Sequence, residues 1–412
     1  MTDTEAKLID AVATDASPHY EPYGWHHWPD FPWPSYQFRR ALGETQEGGG
    51  TVSESFLAAS RMIPGDYDSW HREWMVVADN NFRRGEAEEA RGHIQTAMNC
   101  YLRAADMYRS AEFWLEPTDP RRMPTFEKAE LSTRRFLAHT VPQGEFVEVP
   151  YEDDGKPMYG YFIRAPFDTG RQPVLISFGG LDSYKDELWF MTGRGALQRG
   201  ISVLLMDGPG QGATLRRHGL ANRYDYEVPV GRCIDWLATR DDVDMSRIAV
   251  SGSSLGGYYS ARAGAMEPRL AAAISHGGVL SLYERYKDRA EDHGLASHMK
   301  WVFGAGSMKG VAEKTKDFDM RGVFENMKCP YLILHGGHDV LGVEAARQGY
   351  QYAKAAGVNV TLMLVDAEMT GAEHCQHDNP TLGQELMIDW LADIFGIDQV
   401  DLSRSRAMAP AA

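Results

Sequence analysis

Apolar residues recur every three to four positions through SFLAASRMI (55–63), SWHREWMVVADNNF (69–82), ARGHIQTAMNCYLRAADMYRSAEFWL (90–115) and FEKAELSTRRFLAHT (126–140). This spacing predicts four amphipathic helices, punctuated by Pro64-Gly65, by the run from Pro117 to Pro120 and by Pro142. At about Gly144 the period changes. EFVEVPY and MYGYFIRAP alternate like two antiparallel strands joined by a turn at DDGK. Beyond them, PVLISFGG, ISVLLMDGPG, RIAVSGSS, LAAAISHGG, YLILHGGHD and VTLMLVD are short apolar runs, each closing on a Gly-rich or polar turn. Helix-like stretches separate these runs. That alternation predicts an α/β fold: a mostly parallel sheet with helices on both faces.

The predicted organisation is an aromatic arm and helical cap over 1–143, a catalytic domain over 144–398, and a tail over 399–412. The stretch 280–328 is longer than a simple crossover needs and is expected to form a lid. The arm carries PYGWHHWPDFPWPSYQFRR at 22–40. Its prolines argue against a long helix and for an extended segment laid over an apolar surface.

The chemistry concentrates in RIAVSGSSLGGYYSA (247–261). Gly252-Ser253-Ser254-Leu255-Gly256 fits the G-x-S-x-G elbow between a strand and a helix. Ser251 and Ser253 lack glycine at both flanking positions, so Ser254 is the expected nucleophile. A serine hydroxyl needs a base to take its proton, and the base needs an acid to orient it. Asp339 lies just past the strand at 331–336, and His374 in the loop after the strand at 360–366. The order Ser, Asp, His suits the fold. Glu344 is the rival acid and His377 the rival base, with support of the groups around the triad as the alternative role for His377. The expected oxyanion donors are the amide of Leu255 and, after Gly179-Gly180, the amide of Leu181. His335/His338 and His374/His377 could in principle converge on zinc. Neither pair sits clearly on a helix, so no metal and no cofactor are expected.

Composition narrows the rest. A hydrophobic fraction of 43% with 10 Trp and 19 Tyr supports a large core. A formal net charge of −16 disfavours nucleic acid as a partner. Cys100, Cys233, Cys329 and Cys375 are scattered and suggest neither disulfides nor a Cys-based metal site. The polar start lacks the pattern of a signal peptide, and no apolar run approaches the ~18 residues of a membrane span, so a cytoplasmic location is expected. The expected partner is a small aromatic molecule, with a homodimer allowed.

FGGLDSYKDE, MDGPGQGAT, GSSLGGYY, EPRLAAAISHGG, YLILHGGHD and EHCQHDNP, in this order, resemble the 2,6-dihydroxypseudooxynicotine hydrolase group of α/β-hydrolases. Fungal enzymes that shorten polyketide precursors and FrsA-like esterases look related. The resemblance spans about 50–395. It implies the α/β-hydrolase fold with an N-terminal helical cap, and the same triad. It also implies cleavage of a carbon–carbon bond next to a ketone, with carboxylester or lactone hydrolysis as the alternative. A further family acid falls nearest to Glu284. Gly180, Asp182, His276, Glu284 and His377 are the expected pocket residues.

Overall fold

The computed structural model describes residues 26–408 apart from 153, 168 and 169. One eight-stranded sheet organises it, in the order β1-β2-β4-β3-β5-β6-β7-β8. The strands are β1 Glu145–Pro150, β2 Pro157–Ile163, β3 Gln172–Phe178, β4 Ser202–Asp207, β5 Val243–Ser253, β6 Ala272–His276, β7 Tyr331–Gly336 and β8 Val360–Val365. β1 and β2 form the expected antiparallel pair, and β2 also runs antiparallel to β4. All remaining pairings are parallel. β3, β4, β6 and β7 are buried along their whole length. A parallel strand covered on both faces needs such a continuous apolar run. Two clusters of side chains, one on each face, make the core.

The helical third comprises α1 Pro32–Glu44, α2 Val52–Ala59, α3 Tyr67–Ala90, α4 Ile94–Glu112 and α5 Arg122–Leu137. Thr51 caps α2: its Oγ1 accepts from the Glu54 amide and donates to the Glu54 carboxylate. Asp66 caps α3 through the amides of Asp68 and Ser69. The helices bury Phe38, Trp70, Trp74, Tyr108 and Phe126 in one cluster that also takes in Tyr159, Tyr184 and Ala213 from the sheet region. The cap core is therefore continuous with the strands beneath it.

Two sequence expectations change here. The proline-rich stretch is not extended throughout: residues 32–44 form α1 with Pro32 at its first position. A proline there removes an amide that has no helical partner anyway, and its φ already suits the helix. Residues 22–25 of that stretch lie outside the described residues. The expected tail also continues as a helix, Gln399–Met408, whose Leu402 is buried in the core cluster on one face of the sheet and packs over Gly200.

The stretch 280–328 forms three short helices, Leu282–Tyr286, Ala296–Val302 and Met308–Lys314, lying beyond the C-terminal ends of β5 and β6. In open parallel sheets ligands bind outside those ends. The cleft of this protein lies there, between the short helices, α1 and the strand ends.

Candidate active site

β5 delivers Ser254 into a turn at φ 57°, ψ −116°, outside the regions an L-residue normally occupies. Such a backbone costs about 1–3 kcal/mol and persists only where the surroundings fix it. They do so here. The Ser254 amide donates to the His276 carbonyl at 2.7 Å. A Cβ on Gly252 would lie 1.9 Å from the Gly256 carbonyl oxygen, and a Cβ on Gly256 would lie 2.4 Å from that of Gly179. Both glycines are thus required by the crossing of strand, turn and helix.

Asp339 follows β7 and His374 follows β8. Both are buried, and His374 Nδ1 lies 2.9 and 2.8 Å from the two carboxylate oxygens of Asp339. Asp339 Oδ1 also accepts from the Leu341 amide at 2.7 Å, and His335 Nε2 stands 3.4 Å from Oδ2. Burial opposes ionisation of Asp339, but the imidazoles of His374 and His335 outweigh it and hold the carboxyl below its ordinary value. Burial likewise opposes protonation of His374, and the Asp339 charge reverses that, placing the imidazole well above its ordinary value. Cys375, at φ 52°, sets its sulfur 3.6 Å from His374 Nε2.

The loop after β3 passes directly over the serine. A Cβ on Gly180 would come within 2.9 Å of Ser254 Cβ, so only glycine allows that approach. Gln211 holds the loop by donating from Nε2 to the carbonyls of Gly179 at 2.6 Å and Gly180 at 3.1 Å. Asp207 fixes its far end by accepting from the Lys185 amide at 2.7 Å. The DGPGQG stretch at 207–212 is thereby a clamp on this loop. The Leu181 amide has no acceptor among the described residues, nor does that of Leu255, the first residue of the helix after Ser254 and so one of its orphan donors.

Ser254, Leu181, Leu255, Gly180, Asp182, His374 and His377 all line one cleft of about 910 Å³ of atom-free space, its open mouth included. Two expected pocket residues do not line it. His276 lies behind the elbow, with Nε2 2.5 Å from the Gln376 side-chain oxygen and Nδ1 3.3 Å from Ser253 Oγ. Glu284 is exposed and pairs with Lys287 at 2.7 Å. Its one-turn helix directs Leu282, Arg285 and Tyr286 to the cleft, which turns the intervening positions outward. Glu344 is exposed at the start of the helix Val343–Ala355. His377 contacts neither Asp339 nor Ser254. Burial, and next the Arg40 charge, push it well below its ordinary value.

Sequence reasoning did not find the cleft's cap residues Trp33, Tyr36 and Arg40, or Arg285, Arg289 and Cys375. The only local signal was the aromatic density of 22–40. Arg40 is buried and joins α1 to the loop after β3. It donates to Glu187 at 2.6 Å and to Ser183 at 3.0 Å, and lies 3.4 Å from Asp182. Among the described residues, the one group of three metal-type ligands is Glu44, Glu187 and His377. Arg40 lies against Glu187 and Arg109 against Glu44 at 3.3 Å, and burial, next the Asp106 charge, raises the Glu44 carboxyl well above its ordinary value, so two guanidinium groups and a carboxyl that resists ionisation stand against a cation here. The four cysteines are free and buried.

The sheet order, with its elbow after β5, is that of an α/β-hydrolase. Within that class the chain belongs to the FrsA-like esterase family, whose model matches residues 65–289; the prolyl oligopeptidase family model also matches, over 194–397. The 20-hydroxy-prefusarin hydrolase FUS2 of Gibberella moniliformis is 32% identical over 73% of this chain and 80% of its own length. The hydrolyase poxO of Penicillium oxalicum is 35% identical over 58% of this chain and 59% of its own. The crystal structure of the 2,6-dihydroxy-pseudo-oxynicotine hydrolase superposes with a TM-score of 0.73 at 28% identity, covering 86% of this chain and 95% of that one. The protein is accordingly a hydrolase.

Proposed function

We propose that Ser254, His374 and Asp339 act as nucleophile, base and orienting acid, and that the reaction is hydrolysis of a carbon–carbon bond next to a ketone. The observation that carries the first part is the two-oxygen grip of Asp339 on His374 Nδ1, in the cleft that also holds the strained Ser254. That grip keeps a proton on Nδ1 and leaves Nε2, whose neighbour is the weakly bonding Cys375 sulfur at 3.6 Å, to take the serine proton.

Ser254 Oγ adds to the ketone carbonyl as His374 takes its proton, and the oxyanion accepts from the amides of Leu181 and Leu255. The carbon–carbon bond then breaks. Its electron pair leaves on carbon, held as an enolate or electron-rich arene, and His374 returns the proton there. Water, deprotonated by His374, hydrolyses the acyl-Ser254 ester and releases the acid. The ketone reading rests on the similarity to the 2,6-dihydroxy-pseudo-oxynicotine hydrolase and on Trp33, Tyr36 and Tyr286 in the cleft wall, which suit a flat aromatic ligand. The esterase description of the matched family favours the second reading, carboxylester hydrolysis by the same three residues.

Matched substrates test the choice: a dihydroxyaryl ketone and a phenyl ester carrying the same acyl part, with acid and arene identified by mass spectrometry. Ketone cleavage that is lost in Ser254→Ala supports the proposal. Ester turnover with no ketone cleavage leaves the esterase reading.

A further inference from the structure

The cleft contains two arginines whose charge the protein leaves uncancelled. Arg285 and Arg289 both line it, four residues apart at and just beyond the helix Leu282–Tyr286, and both are half-buried. Among the described residues the Arg285 guanidinium has no hydrogen bond and no ion pair. The acid whose charge it feels is Asp339, which is already held by His374. Among the described residues Arg289 has one polar side-chain partner, the His293 ring, with Nη1 3.0 Å from Nε2. Burial, then the charges of Arg289 and Arg285, press His293 below its ordinary value, so this partner is a neutral imidazole. The third arginine of the cleft, Arg40, shows the contrast: it meets Glu187 and Asp182 directly.

Two like charges four residues apart repel, and partial burial removes some of the water that would soften the repulsion. In a chain with net charge −16 there is no shortage of carboxylates to pair with them. A guanidinium fork matches a planar carboxylate with two parallel hydrogen bonds. We infer that Arg285 and Arg289 form a carboxylate-binding wall of the cleft, and that the substrate carries a carboxylate remote from the carbonyl attacked by Ser254. This deepens the proposed function and rests on its reading of the cleft as the substrate site. The wall selects among carbonyl substrates by charge. It also sets the reacting carbonyl's orientation, because the anion anchors the opposite end of the molecule.

The test compares the mono-4-nitrophenyl ester of glutaric acid with its methyl ester, which is neutral at the far carboxyl. The wild-type protein is expected to prefer the anionic ester at least tenfold in kcat/KM, and the preference should shrink as salt rises. In Arg285→Gln/Arg289→Gln the ratio of the two kcat/KM values should fall to about one. In Arg285→Lys/Arg289→Lys, which keeps both charges, part of the preference should remain. Thermal midpoints of each variant show that the fold is kept. A parallel titration of glutarate by calorimetry reads the wall without chemistry: its affinity should drop at least tenfold in the double Gln variant and persist in Ser254→Ala. Should the nucleophile assignment fail, the titration still reports the wall. No charge preference in the wild type, or a preference that survives the double Gln change, overturns the inference.

Discussion

His298, on the short helix Ala296–Val302, lies with Nε2 2.9 Å from the carbonyl oxygen of Leu181. Arg122 of α5 approaches the other ring nitrogen, Nδ1, at 3.4 Å. A guanidinium can only donate, so Nδ1 accepts and Nε2 carries the proton given to Leu181. Burial, then the Arg122 charge, lower His298 to about 4, which keeps the ring neutral and this tautomer in place above that pH. The cap, the insertion and the loop over Ser254 are thus connected through one imidazole. His298→Ala frees the Leu181 peptide to rotate. The expected result is a fall in kcat of about tenfold to a hundredfold with KM little changed, the signature of an interaction used in the transition state. A rise in KM alone would place His298 in substrate binding instead.

The acid limb of the rate profile follows from the Asp339–His374 pair. The base works as the neutral imidazole. Asp339 stabilises the protonated form and holds its value well above the ordinary 6.5, against the effect of burial. Activity should therefore be absent at low pH and appear as pH rises through a midpoint above 6.5. Asp339→Asn removes the charge that raises it, so the limb should move to lower pH while the maximal rate falls. A kcat/KM profile of the Asn variant with an unmoved limb would contradict the assignment of Asp339.

The strands, the elbow and the order of Ser254, Asp339 and His374 were legible because their signals are local. A buried parallel strand must be apolar along its length, and the crossing at Ser254 admits no Cβ at Gly252 or Gly256. The DGPGQG stretch stood out by resemblance alone, and its physical role appears only where Gln211 and Asp207 reach the loop after β3. Arg40 and Arg285 carried no signal of their own, and Tyr36 only the aromatic density of 22–40: helix packing and the insertion bring them to the cleft from distant parts of the chain. Glu284 and Arg285 are neighbours in sequence, and the turn of a five-residue helix decides which one faces inward. The helix at 32–44 was obscured by Pro32 and Pro34, which a first turn accepts and a helix interior does not.

Arg40 ties the cap to the loop after β3 through buried contacts to Glu187 and Ser183. Arg40→Met fills similar space and removes the charge, leaving the Glu187 carboxylate without one of its cations. Breaking a buried pair from one side costs about 3–5 kcal/mol. The expected outcome is a denaturant midpoint lowered accordingly, accompanied by reduced activity from a loosened loop. Unchanged stability would show that Arg109, 3.7 Å from Glu187, suffices alone.

Gly180→Ala tests the closeness of the loop to the serine. The new methyl would press on Ser254 Cβ at 2.9 Å, and either the loop or the elbow must shift. A fall in kcat of at least a hundredfold is expected, with the folded structure retained by circular dichroism. An active Gly180→Ala enzyme would show that the approach of loop and serine is not needed for turnover.

The most direct measurement of the central proposal is quenched-flow mass spectrometry of the intact protein with the dihydroxyaryl ketone described above. The expected result is a transient mass increase equal to the acyl group, mapped to the peptide carrying Ser254, rising with release of the arene and decaying with release of the acid. The adduct should be absent in Ser254→Ala. Arene release with no adduct on Ser254, or full activity in Ser254→Ala, would contradict it.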